Sequence, residues 1–222
     1  MSLEENIDKY LGANRPDIAG LRLFNASASP EELRKRFAEG AALRQQLVRQ
    51  GPSVILPMLR AAPPKMGDAA ALAESPIAML NPEGYAQIAA GMTEAIFTNA
   101  QDVILEIGKP AAEPLLGALQ ERDPNVRALA AAFLGLRNLA SHRILPLLQN
   151  AFFKDEDVVV KLASAISLIE CGYTDHKTID LARQALGAFL DEASPRWTTL
   201  GATPVDLCKH MLPQLIGKWA QR

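Results

Sequence analysis

The sequence predicts an all-α chain organised as an α-α superhelix, a solenoid of stacked antiparallel helix pairs. Three observations carry that prediction. Alanine and leucine dominate an apolar fraction of 49%, aromatic residues make up 5%, and β-branched residues are sparse. That balance favours helix over sheet. Apolar residues recur at helical intervals between proline and glycine punctuation. The second half of the chain also matches itself when displaced by 34 residues. Such a period marks small units that cannot bury both faces alone but seal one another when stacked.

Residues 1–28 read as a short helix and a loop, with Pro16, Gly20 and a polar tract around Ser27; the leading Met1-Ser2-Leu3 is given no weight. From residue 29 to 222 the chain reads as a single solenoid with an insertion at 61–84. Ser29-Pro30-Glu31-Glu32 supplies a cap, a proline at the first helical position and a capping-box glutamate. Leu33, Phe37, Ala41, Leu43 and Leu47 continue that helix to a stop near Gly51, and Pro52 opens the next. The insertion carries Pro63, Pro64, Pro76 and Pro82, which forbid a long helix. The helical pattern returns from Tyr85 to Ile107, with a break expected near Asn99, and Gly108 ends it. Helix pairs then follow at about 110–121 with 124–138, 141–153 with 157–171, and 176–190 with 204–219.

The internal repeat preserves chemistry at each step. At an offset of 34, Asp123 falls on Asp157, Val126 on Val160, Arg127 on Lys161, Ala131 on Ala165 and Leu134 on Leu168. The preceding helices match at 32 instead, with Glu113-Pro114-Leu115-Leu116 on Leu145-Pro146-Leu147-Leu148. Two extra residues in the second pair's inter-helix turn would reconcile the offsets. A proline inside a helix costs on the order of 3 kcal/mol, so its recurrence implies a shaped bend. The small residues Ala128, Ala130, Ala131 and Ala132, and then Ala163, Ser164 and Ala165, permit close helix approach.

The stretch DPNVRALAAAFLGL (123–136), with the preceding AAEPLLGAL, resembles a HEAT repeat, of the HEAT-like kind also found in phycobilisome lyases. The resemblance covers roughly 104–172 well and 52–60 fairly. Lys161 stands where the family prefers arginine, and the third unit has DEASPRW after Leu190 in place of a Val-Arg signature. The resemblance implies a solenoid fold. It is nearly silent on function, because the family is defined by packing positions.

Bulk properties narrow the function classes. A net charge of −2 and a pI near 6.0 give no global drive toward nucleic acid or anionic membrane. Two cysteines suggest no disulfide framework and fit a reducing cytoplasm. The acidic N-terminus lacks an apolar h-region, and no run approaches the roughly 18 apolar residues of a membrane span.

No residue constellation signals catalysis or a cofactor. His142, His176 and His210 lie 34 apart and suggest a metal row. Repeats stacked about 10 Å apart cannot share a zinc that needs nitrogens at about 2 Å, so repeat register explains the spacing better. Asp155-Glu156-Asp157 looks like an acidic metal cluster but suits a helix N-terminus. Asp123 with Arg127, and Asp157 with Lys161, read as capping and inter-repeat pairing. Arg34-Lys35-Arg36, flanked by Glu31, Glu32 and Glu39, reads as a solvated face, and Cys171 and Cys208 as core thiols.

The expected role is therefore a non-enzymatic, cytoplasmic binding module presenting a helix layer to a protein or peptide. Arg137, Lys161 and Trp197 are the candidate contacts. A groove would be lined by the alanine-rich helices and capped by 61–84 or by the link 194–204. Trp197 is equally an interface anchor or a lid over the terminal repeat. The alternatives follow from the resemblance: a lyase-like accessory that binds a tetrapyrrole partner, or an alkyl-base DNA glycosylase relative. The near-neutral charge argues against the second. A subunit of a larger assembly is the remaining possibility.

Overall fold

The computed structural model describes residues 2–12, 29–63, 82–136, 139, 143–172, 177, 180 and 184, with the backbone alone for 82–94 and Val158. Every regular element among these residues is helical. They divide into two compact units that meet in sequence at Ile107 and Gly108.

The first unit holds α1 (Leu3–Leu11), α2 (Pro30–Gln50), a 3-10 turn (Gly51–Val54), α3 (55–63) and α4 (Pro82–Ile107). α1 starts on a full capping box, in which Ser2 accepts from the Glu5 amide and the Glu5 carboxylate accepts from the Ser2 amide. Ser2 and Leu3, given no weight in the sequence, thus take part in α1 and its cap. Ser29 caps α2 by accepting from the Glu32 amide at 3.1 Å, with Pro30 at the first position as predicted. The Glu32 side chain turns instead to Arg36, at 2.6 Å.

α4 begins at Pro82 and runs unbroken through Asn99. The expected break near Asn99 does not occur, because its side chain makes a tertiary contact in place of a local one. Asn99 is buried, and its Nδ2 donates to the Tyr10 carbonyl of α1 at 3.1 Å. Around that bond α1, α2 and α4 pack on one another through Ile7, Tyr10, Leu11, Leu47, Ile96, Ala100 and Val103. The insertion expected over 61–84 also narrows. Residues 61–63 complete α3, 82–84 belong to α4, and 64–81 lie outside the described residues.

The second unit holds a 3-10 turn (Lys109–Ala111), α5 (Ala112–Ala118), α6 (Pro124–Leu134), α7 (Ile144–Lys154) and α8 (Val158–Glu170). The two long helices α2 and α4 end alike. Gly51 (φ 66°, ψ −145°) and Gly108 (φ 71°, ψ −144°) share a backbone geometry open essentially only to glycine. Each is followed by a 3-10 turn and then by a helix whose third residue is proline, Pro57 or Pro114. Pro146 holds the same third place in α7.

That shared position overturns the expected proline bend. In the first turn of a helix the backbone N–H has no partner four residues back, so proline removes nothing. The recurring proline marks a helix start.

The two repeat offsets are real, but their origin differs from the expectation. α6 starts at 124 and α8 at 158, a spacing of 34; α5 starts at 112 and α7 at 144, a spacing of 32. The inter-helix turn is longer in the first pair (119–123) than in the second (155–157). The extra residues of the second pair lie within α7, which has 11 residues against 7 in α5. The third pair, 176–190 with 204–219, falls outside the described residues apart from 177, 180 and 184.

Both second helices are capped as predicted, but unequally. Asp123, exposed, accepts from the Asn125 amide at 2.8 Å. Asp157, buried, accepts from the Val159 and Val160 amides at 2.9 and 3.3 Å. Truncation at either site removes a cap worth roughly 1 kcal/mol. We expect Asp157→Ala to cost about 2 kcal/mol and Asp123→Ala about half that, because only the first strands buried amide donors. Parallel urea titrations of the two variants check the ordering.

Candidate interaction surface

α8 is the most enclosed of the described helices of the second unit. It packs on both α6 and α7, and every residue from Leu162 to Ile169 is buried. A helix that is apolar all round has to be enclosed, and the sequence of α8, VVVKLASAISLIE, fits that demand. α6 is nearly as buried, with Val126, Leu129, Ala130, Ala131, Phe133 and Leu134 inside.

The two helices lie side by side and point the same way, since contacts join their starts to each other and their ends to each other. Near the starts, Arg127 of α6 grips Asp155, just ahead of α8, through two 2.8 Å bonds from Nε and Nη2. Near the ends, Ser167 of α8 donates to the Ala131 carbonyl of α6 at 2.6 Å. Gly135 sits against Ser167 so closely that a Cβ there would lie 2.8 Å from the Ser167 Cα. Close approach by a small residue occurs at Gly135, just beyond the alanine row the sequence marks.

Arg127 does more than pair. Its Nη1 also donates to the carbonyls of Glu121 and Arg122, both at 2.9 Å, so one guanidinium ties the turn before α6 to the turn before α8. The pair is largely enclosed, at 18% and 10% side-chain exposure. Burial pulls the Asp155 carboxyl upward. The hydrogen bonds from Arg127 and the Asp157 amide, with the charges of Arg127 and Lys161, outweigh it and hold Asp155 below the usual carboxylate range. Arg127 is raised in turn, first by its hydrogen bond to Asp155 and then, against burial, by the charges of Asp155, Asp157 and Asp123.

The inter-repeat pairing read from the sequence is thus present, but the acid that receives Arg127 is Asp155. The missed signal is an acid two residues ahead of each cap, Glu121-x-Asp123 and Asp155-x-Asp157, repeating at the 34-residue offset.

With α6 and α8 enclosed, the accessible side chains among the described helices of this unit belong to the first helices. Glu113 of α5 meets Arg143, the residue before α7, at 2.8 Å, so these helices are also joined near their starts. α7 turns Ile144, Leu148, Ala151 and Phe152 inward. Its exposed residues are Pro146, Leu147, Asn150, Phe153 and Lys154, which helical spacing gathers into one arc of roughly 120°. Leu147 is 39% exposed and Phe153 43%, the latter tilted against Phe152 with ring centroids 4.9 Å apart. Sequence reasoning could not single them out. ILPLLQNAFFK is apolar on nearly every side, and only packing decides which apolar residues stay outside.

Of the predicted contacts, Lys161 lies in the first turn of α8, half-buried, and its charge is among those that lower Asp155. Arg137 and Trp197 lie outside the described residues, as do His142, His176, His210, Cys208 and the link 194–204. Cys171 follows α8 and is half-buried, not a core thiol; burial first, then the Glu170 charge, push its thiol above the usual value, which disfavours the nucleophilic thiolate. Among the described residues no group of histidine, cysteine and acidic side chains could hold a metal ion, and no helix is long and apolar enough to cross a membrane. No family model, curated protein or solved structure matches this chain.

Proposed function

We propose that this chain is a non-enzymatic binding module, a HEAT-like α-solenoid of the cytoplasm that offers its first-helix layer to a protein or peptide partner. The observation that carries this reading is the division of labour in the second unit. The repeated helices α6 and α8 are enclosed and locked side by side, while α7 keeps Leu147 and Phe153 in solvent. Large apolar side chains beside polar Asn150 and Lys154 are the composition of an interface core with its rim.

The test is affinity capture from the source cell with the full chain and with Leu147→Ser/Phe153→Ser. Both positions are exposed, so the double variant should fold normally by circular dichroism. A partner retained by the wild type and bound at least tenfold more weakly by the variant supports the reading. It is overturned if that partner binds both alike, or if nothing is captured and a turnover screen finds a substrate.

A further inference from the structure

The first unit carries a second exposed apolar feature. Among the described residues the buried side chains of α2, Leu43 and Leu47, lie in its C-terminal half, where Arg44 also reaches Asp102 and Glu106 of α4 at 3.6 and 3.3 Å. From Pro30 to Ala42 no residue is buried, and Leu33 and Gly40 are the only ones partly covered. Phe37 stands 53% exposed there, the most exposed large hydrophobic side chain among the described residues.

The charges around Phe37 are sorted by sign. At about 100° per residue, Pro30, Leu33, Arg34, Gly40, Ala41 and Arg44 fall within about 60° of Phe37. None of these is acidic, and two are arginines. The acids of this segment, Glu31, Glu32 and Glu39, all fall more than about 100° away. Glu32 is already held by Arg36 on that far side. Arg34 is exposed at the rim of the stripe.

We propose that Leu33, Phe37 and Ala41, rimmed by Arg34, form a docking stripe for an acidic amphipathic helix of another protein. Such a helix would lay its apolar side on Phe37 and set a carboxylate against Arg34. Arg44 is already held by Asp102 and Glu106, so Arg34 is the charge of the arc that sets the choice of sign, and a basic helix would meet it with like charge. The small residues Gly40 and Ala41 beside the ring leave room for a partner's knob. This surface extends the binding-module reading to a second site, and its failure is distinguishable because it is read on α2 while that reading is tested on α7.

The experiment uses the full chain and two designed fluorescent helical peptides with the same leucine seam, one flanked by glutamate and the other by lysine. Fluorescence anisotropy should show the glutamate peptide binding at least tenfold more tightly at 50 mM salt, with amide shifts confined to residues 30–44. Arg34→Glu should reverse the preference, and Phe37→Ala should weaken the glutamate peptide about tenfold while leaving the fold intact, since the ring is exposed. Equal binding of the two peptides overturns the proposal. So do shifts located elsewhere, or concentration-dependent dimerisation through α2 that excludes the peptide. Failure of both peptides to bind also overturns it.

Discussion

Arg127→Met is expected to lower the stability of the second unit by about 3 kcal/mol, the low end of the cost of breaking an enclosed ion pair. Methionine preserves much of the aliphatic volume, so the loss measures the guanidinium. Removing it leaves the Asp155 carboxylate, 10% exposed, with the Asp157 amide as its remaining close donor. It also releases the Glu121 and Arg122 carbonyls. Arg127→Lys should recover less than half of the loss, because one ammonium cannot form the two bonds to Asp155 and still reach both carbonyls. Arg127→Met with Asp155→Asn should be less damaging than Arg127→Met alone, since no charge is then left enclosed. A urea midpoint for Arg127→Met within 0.5 kcal/mol of the wild type would remove the pair from any account of how the hairpins are held.

The same pair sets a pH signature. Asp155 lies below its ordinary value in the folded chain, so the unfolded chain binds its proton first. The contribution of the carboxylate is therefore complete above the unfolded value, near 3.9. It is lost as the pH falls through the lower folded value. The stability gap between wild type and Asp155→Asn should hold steady from pH 7 to about 4.5 and close below it. A gap that closes between pH 5 and 7 points to another group.

How much of this was legible in advance depends on how far apart in sequence the interacting groups lie. Caps are local, and Ser29, Asp123 and Asp157 announce themselves within three residues of the amides they serve. The two offsets, 34 and 32, survive as helix starts because core spacing is repeated in the chain itself. Contacts across longer separations were hidden. Asn99 looks like a helix breaker until its amide is seen to meet Tyr10, 89 residues away. Arg127 has acids at Asp123 and Asp155 within reach of any sequence argument, and only the side-by-side packing of α6 and α8 decides between them. The stripe on α2 was visible as a helical pattern, and its exposure was not. Periodicity reports that a face is apolar and says nothing about whether a neighbour arrives to cover it.

That neighbour does arrive at Gly135, and the same alanine substitution at two glycines of the second unit should give opposite signs. Gly135 closes α6 with φ −72° and ψ −10°, a conformation any residue adopts, so alanine brings no backbone strain. It does bring a Cβ to 2.6 Å from the Ser167 Oγ, 2.8 Å from its Cα and 2.9 Å from its Cβ. The Cα cannot swing aside as a flexible side chain would, so α6 and α8 have to separate. Separation stretches the Ser167 bond to the Ala131 carbonyl and opens the packing around Phe133 and Leu134. We expect Gly135→Ala to cost about 3 kcal/mol, at the upper end of overpacking penalties. Ser167→Ala should not rescue it, because the Cα and Cβ of residue 167 remain in the way and the bond to Ala131 is lost as well. Gly117, inside α5, has nothing within 4 Å of an added Cβ and no positive φ. There alanine restricts the unfolded chain and suits the helix, so Gly117→Ala should stabilise by about 0.5–1 kcal/mol. If both variants instead shift the urea midpoint in the same direction, the opposition between Gly135 and Gly117 fails. The close seating of α8 on α6 would then not be what fixes the spacing of the hairpins.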